Sequence, residues 1–286
     1  MHELGDEWLS VVADGSDMGR AALEFDWSAT PLGPPASWPE GLRSAVSICL
    51  TTSFPACVLW GPDQISIYND AFRPIVGTVK HPGALGRQAR DVWPEVWDYV
   101  GPMLESVTTS GRPMWEQDFE LVLERNGFPE ACHLTFSCSP LFDDGDVGGV
   151  LGLVVETTDQ VVTARHLACL STLNARLTSA DQVTDVCLVS ASALGGFPAD
   201  VRFADVYLRV GDQLVLVAAT RRGDVRLLTA DQLGGVVDGK PVVLGDDGTG
   251  ETPADVVAVP IGGPIDESGD DVPQGVLVIG LNRRRP

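Results

Sequence analysis

FPACVLWGPDQISIYNDAFRPIVGTVKHPGALGRQARDVWPEVW, residues 54–97, is the stretch on which the fold reading turns. Ala56 to Trp60 is a compact apolar run ended by Gly61-Pro62-Asp63, and Ile65, Ile67 and Tyr68 resume strand character straight after it, which predicts a hairpin. Asn69 then stands before Asp70-Ala71-Phe72. An Asx side chain there can accept a hydrogen bond from the free N–H groups of the next turn, so the strand is expected to pass at once into a helix. Beyond the glycine-punctuated loop, Trp93, Trp97, Val100, Leu104 and Val107 recur at intervals of four, three, four and three. That spacing predicts a helix over Asp91–Val107 with one apolar, aromatic face.

Downstream, two long strands are expected, Trp115–Glu124 and Glu130–Ser139, joined by Arg125-Asn126-Gly127-Phe128-Pro129, whose Asn-Gly supplies the positive backbone angles of a hairpin. A last strand, Val150–Glu156, follows the acidic turn Asp143-Asp144-Gly145-Asp146. Upstream, Ser37-Trp38-Pro39-Glu40 has the form of a capping box with an early proline, and Leu42, Ala45, Val46, Cys49 and Leu50 follow at helical spacing. Residues 1–36 hold one short helix, Glu7 to Val12, and a Thr-Pro-Leu-Gly-Pro-Pro arm expected to cap the first domain, residues 37–157.

These residues resemble the PAS family of sensor domains, in the variant that opens many multi-domain bacterial sensor kinases and some phosphatase regulators. The matching segments begin with Asp26-Trp27-Ser28-Ala29-Thr30-Pro31-Leu32-Gly33-Pro34, Leu59-Trp60-Gly61, Tyr68-Asn69-Asp70-Ala71-Phe72 and Lys80-His81-Pro82 with Leu85-Gly86. They continue with Trp93-Pro94-Glu95, Leu123-Glu124-Arg125-Asn126-Gly127 and Thr135-Phe136-Ser137 with Ser139-Pro140, so that together they span roughly residues 26–160. The resemblance implies a five-stranded antiparallel sheet with helices over one face and a ligand or signal pocket between them.

From residue 158 to 180 the pattern turns helical, with Leu167, Leu170, Asn174 and Leu177 spaced three, four and three. Two heptads are fewer than the three or four that mark a coiled coil. Two readings stand: a helix packed on its own chain, or a dimer-forming signal helix with Asn174 setting register, which the PAS resemblance favours. Residues 181–286 then offer an apolar helix, Val183–Leu194, and strands at Phe203–Val210, Gln213–Thr220, Val256–Ile261 and Gln274–Leu281, the last after an acidic loop, Asp266–Asp271. Residues 221–255 yield only a short strand at Pro241–Leu244. FADVYLRVGDQLVLVAA, residues 203–219, and PQGVLVIGLNRRRP, residues 273–286, resemble a GAF domain, whose usual closing helix would lie beyond Pro286. The fold class expected is therefore α+β, two domains each with an antiparallel sheet and helices on one face, PAS-like then GAF-like, joined by a long helix.

Composition bounds the function. A chain of 286 residues with 44% hydrophobic content suits two cores. No stretch approaches the ~20 apolar residues of a spanning helix, and the opening MHELGDEWLSVVADG carries acids where a signal peptide needs bases, so a cytoplasmic location is expected. The formal charge is −21 and the one basic cluster is Arg283-Arg284-Arg285, which disfavours nucleic acid and membrane as partners. Six cysteines form no C-x-x-C pair, so neither structural zinc nor a redox dithiol is indicated. Two lysines among nineteen basic residues suggest a GC-rich bacterial genome, with salt adaptation a rival explanation of the acidity.

Catalytic chemistry is absent from the pattern: no Ser-His-Asp or Cys-His arrangement, no P-loop lysine and no kinase motif. His81 reads as a structural corner. Cys132 and Cys138 share a strand face that His133 does not, which argues against a metal there. No cofactor is specified; the resemblance argues against haem, whose axial histidine is missing from Asp91–Val107, and against flavin, whose Asn-Cys-Arg-Phe adduct motif is missing. The aromatics Trp60, Phe72, Trp93, Trp97, Trp115, Phe119 and Phe136 mostly build core. The candidate ligand-binding residues are Trp60, Tyr68, Phe72, Trp93, Trp97, Phe136 and Ser137, suited to an apolar or aromatic small molecule.

The reading is a non-catalytic sensory fragment that relays a signal through a homodimer to an effector domain of the same polypeptide, a histidine kinase or a PP2C-type phosphatase. The alternatives are a ligand-free dimerisation or interaction module and a haem-based redox or gas sensor.

Overall fold

β1 (Ala56–Trp60) and β2 (Ile65–Tyr68) pair antiparallel, with Leu59 opposite Ser66 and Cys57 opposite Tyr68. The structure, a computed structural model, describes residues 7–211, 213–220, 241–246, 254–262 and 274–282. The acidic loop Asp266–Asp271 and the Arg283–Arg285 cluster lie outside the described residues. Contacts divide the chain into two units, one ending at Val161 and the other beginning at Val162.

In the first unit β3 (Met114–Leu123), β4 (Glu130–Asp143) and β5 (Asp146–Glu156) complete a five-stranded antiparallel sheet of order β2-β1-β5-β4-β3. Period-two alternation assigns its faces. Ala56, Val58 and Trp60 meet α3 (Glu40–Thr51), whose Leu42, Ala45, Val46 and Cys49 are all buried. Cys57, Leu59, Phe136 and Cys138 point the other way, toward α4 (Arg73–Lys80), α5 (Ala89–Val92) and α6 (Trp97–Ser110). The β1 side of the sheet thus has helix on both faces.

α1 (Glu7–Ala13) and an unforeseen α2 (Asp17–Glu24) extend the α3 side. Ser16 starts α2: its Oγ accepts from Gly19 N at 2.9 Å and donates to Asp70 Oδ2 at 2.8 Å. Trp27 and Trp38 meet edge to face, ring centroids 5.0 Å apart, and each indole N–H is satisfied by a backbone carbonyl, that of Ala22 and that of Gly33.

Three local expectations fail for identifiable reasons. The Ser37 capping box does not form; Ser37 Oγ donates to Pro34 O within a 3-10 turn, Pro35–Ser37, and α3 starts at Glu40 after an extended Pro39. The expected helix over Asp91–Val107 is broken at Trp93, which adopts φ −123° and ψ 47°. A residue before proline avoids helical angles, and Pro94 follows. The Asn-Gly turn is a longer loop between Leu123 and Glu130, with Gly127 alone at positive φ, 87°. Asn126 instead serves as a polar hub, accepting from Thr78 N and Oγ1 and donating to Glu130 Oε1.

The second unit carries its own five-stranded antiparallel sheet, order β7-β6-β10-β9-β8, from β6 (Val201–Val210), β7 (Gln213–Ala219), β8 (Val242–Asp246), β9 (Ala254–Ile261) and β10 (Gly275–Asn282). α7 (Thr158–Leu177) leads into it, and α8 (Val183–Gly195) packs Cys187 and Ala191 on Val206 and Ala218. Phe203, Tyr207, Val256 and Val278 form a second cluster. Arg165 of α7 grips Asp200 with two hydrogen bonds, 2.7 and 3.1 Å. No helix among the described residues is long and apolar enough to cross a membrane.

Candidate functional site

Between the first sheet and α4–α6 lies a cavity of about 100 Å³. The strands contribute alternate residues, Cys57 and Leu59, Ser66, Phe136 and Cys138, Gly152 and Val154. The helical side contributes Phe72, Trp93, Val96, Trp97 and Leu104. None of the described lining residues carries a charge. Gly152 lies opposite both Cys57 and Cys138 in the strand register, and a Cβ there would come within 2.9 Å of Cys57 Sγ. The missing side chain keeps part of the cavity open. Burial pushes the Cys138 thiol up to about 11 and the Cys57 thiol well above its ordinary value, so both are neutral at physiological pH.

Trp97 also lines a wide polar groove outside, with Asp63, Arg90, Asp98 and Glu105. Its indole is therefore the partition between the apolar cavity and the groove. The Arg90 guanidinium stands 5.9 Å from the centre of that ring, and the ring rests on Gly101 one turn along α6.

Of the residues expected at a ligand site, Phe72, Trp93, Trp97 and Phe136 line the cavity. Trp60, Tyr68 and Ser137 do not. Trp60 belongs to the even-numbered face of β1 and is covered by α3 near Gly41 and by Gly148 of β5. Tyr68 shares the cavity face of β2, but its ring is taken up by Phe72 and its hydroxyl bonds His81 Nδ1 at 2.9 Å. Ser137 lies between two cavity residues on one strand and so faces away, beside Trp115 and Leu153. Ser66, Cys57, Cys138 and Gly152 were missed. Alternation around Phe136 could have found Cys138, and alternation back from Tyr68 could have found Ser66; nothing local marks Cys57 or Gly152.

A chain of polar contacts runs from the cavity wall to α7. Val154 lines the cavity and Glu156 ends the same strand. Arg125, on the β3–β4 loop and almost fully buried, donates to Glu156, to Glu130 Oε2 at 3.1 Å and to Pro74 O at 3.4 Å. Thr158, the first residue of α7, donates to Glu156 Oε1 at 2.9 Å and accepts from His133 N at 3.0 Å. Gly77 breaks α4 at φ 77° and admits this loop, because a Cβ there would stand 2.2 Å from Arg125 O. Farther along α7, Leu167 and Leu170 are each 62% exposed, Asn174 is exposed and Leu177 half-buried.

No protein-family model and no curated protein matches the chain. Among solved structures it is similar to a sensory box sensor histidine kinase from Vibrio cholerae, at 14% identity over 36% of this chain and 78% of that one, TM-score 0.29. It is similar to the Rhodobacter sphaeroides LOV protein at 12% identity over 56% and 80%, TM-score 0.34. It is also similar to the chromophore-binding domain of Stigmatella aurantiaca bacteriophytochrome at 11% identity over 82% and 87%, TM-score 0.31. At these scores the α+β assignment rests on the two sheets themselves.

Proposed function

We propose that the first unit is a PAS-like sensor of a small apolar molecule and that α7 carries its state toward a GAF-like second unit. The observation that supports this most directly is the uncharged cavity whose wall residue Val154 stands two residues before Glu156, at the end of β5 and next to the start of α7. A ligand that binds one arrangement of Trp97 and β5 better than another shifts the population of that arrangement by its difference in affinity, with no bond made or broken. The chain is read as non-catalytic and dimeric through the exposed leucines of α7. A kinase or phosphatase effector is proposed from the sequence resemblance alone.

The test is titration of the whole chain with toluene, read by tryptophan fluorescence and by the rate at which trypsin cuts at Arg176 of α7. Saturable binding with a changed cutting rate is expected. Binding that leaves α7 unchanged would remove the relay and keep the pocket.

A further inference from the structure

Among the described residues of the cavity wall, Ser66 is the one whose side chain carries an oxygen. It is 4% exposed and forms no side-chain hydrogen bond among the described residues. Ser66 lines the cavity, so its hydroxyl is placed to take its hydrogen-bond partner from whatever occupies that space. Its place is rigidly set. Ser66 N donates to Arg87 O at 2.8 Å and Ser66 O accepts from Gly86 N at 2.9 Å, while β1 flanks the other edge with Leu59 directly opposite. Everything else on the wall is hydrocarbon, thiol or indole.

We infer that Ser66 is the polar anchor of the cavity, and that the occupant is a neutral molecule of about one six-membered ring bearing a single hydroxyl or comparable hydrogen-bonding group. This rests on the sensory reading above and narrows it. Size follows from volume: an apolar cavity of ~150 Å³ takes benzene, so one of about 100 Å³ takes no more than a single ring, and takes that only as the wall yields at the half-buried Trp97. Neutrality follows from the wall, where an anion or cation would find no counter-charge and would bear its full desolvation cost. One hydrogen-bonding group follows from one hydroxyl. The thiols of Cys57 and Cys138 are weak donors and the indoles donate only. A hydroxyl on the ligand can give its proton to Ser66 Oγ or take one from it, a choice that the two thiols offer only weakly.

The experiment compares phenol with toluene, close in shape and differing by the hydroxyl, on the full chain and on Ser66→Ala. Affinities are read from fluorescence of the wall tryptophans and from calorimetry. Loss of one neutral hydrogen bond should weaken phenol about 3- to 10-fold in the variant. Toluene should bind both proteins equally or bind the variant slightly better. Equal changes for the two probes would overturn the anchor role while leaving the cavity as a ligand site. Failure of both to bind the unaltered protein would overturn the cavity reading and the anchor with it. Toluene binding also reports that the variant is folded; should Ser66→Ala fail to fold, Ser66→Cys, of the same shape with a much weaker hydrogen-bonding group, gives the same comparison.

Discussion

Arg125 holds Glu156 with two parallel hydrogen bonds, Nη1 to Oε2 at 2.7 Å and Nη2 to Oε1 at 3.0 Å. The pair joins the β3–β4 loop to the last residue of β5, next to α7. All seven tryptophans precede residue 116, so indole fluorescence reports the first unit inside the whole chain.

Arg125→Ala should destabilise that unit by about 3–5 kcal/mol, because Glu130 and Glu156 would lose a buried counter-charge. Urea unfolding followed by tryptophan emission measures it. A loss under about 1 kcal/mol would mean that the pair behaves as a surface ion pair.

The hydrogen bonds from Arg125 hold the Glu156 carboxyl below its ordinary value of 4.5. A carboxylate depressed on folding contributes stability that is fully present above the unfolded value and is lost as pH falls through the folded one. The first unit should therefore lose this contribution below about pH 4.5, and Glu156→Gln should flatten that part of the acid limb. Parallel acid limbs for the two proteins would count against the linkage.

Asn69 is more than a helix cap. Its Oδ1 accepts from Phe72 N at 3.0 Å and Ala56 N at 3.1 Å, and its Nδ2 donates to Phe54 O at 2.7 Å and Thr52 O at 3.0 Å. Asn69→Ala should cost about 2–4 kcal/mol, above the ~1 kcal/mol typical of a lost cap, because several buried backbone groups are orphaned together. Asn69→Asp should recover only part, since a carboxylate cannot donate to the two carbonyls.

Trp97→Ala should join the cavity to the outer groove. Ligand exchange should quicken and affinity for toluene should fall, with a stability loss of about 2–3 kcal/mol, below the full range for buried tryptophan because the ring is only half-buried. Stopped-flow fluorescence separates the two rates; an unchanged dissociation rate would show that entry runs elsewhere.

If the α7 stripe is a dimer seam, the whole chain should sediment as a dimer and Leu167→Asp with Leu170→Asp as a monomer with unchanged unfolding. Both leucines are largely exposed within one chain, so their loss removes no core. A monomeric unaltered protein would leave α7 as an element that serves its own chain alone.

What the sequence determined was local. A compact apolar run and the turn chemistry at Gly61 placed β1 and β2, Asn69 marked the start of the next turn, and helical spacing picked out the buried face of α3. Each of those signals is carried by residues a few positions apart, where backbone geometry alone dictates which side chains are neighbours. Tertiary structure decided the rest. Trp60 and Phe136 are alike as residues, yet one is sealed under α3 and the other lines the cavity, because each strand meets a different layer on each face. Ser66 and Ser137 divide in the same way, through strand register. A cavity is the place where side chains from separate strands and helices fail to meet. It depends on distances between elements far apart in the chain, and no single segment encodes them.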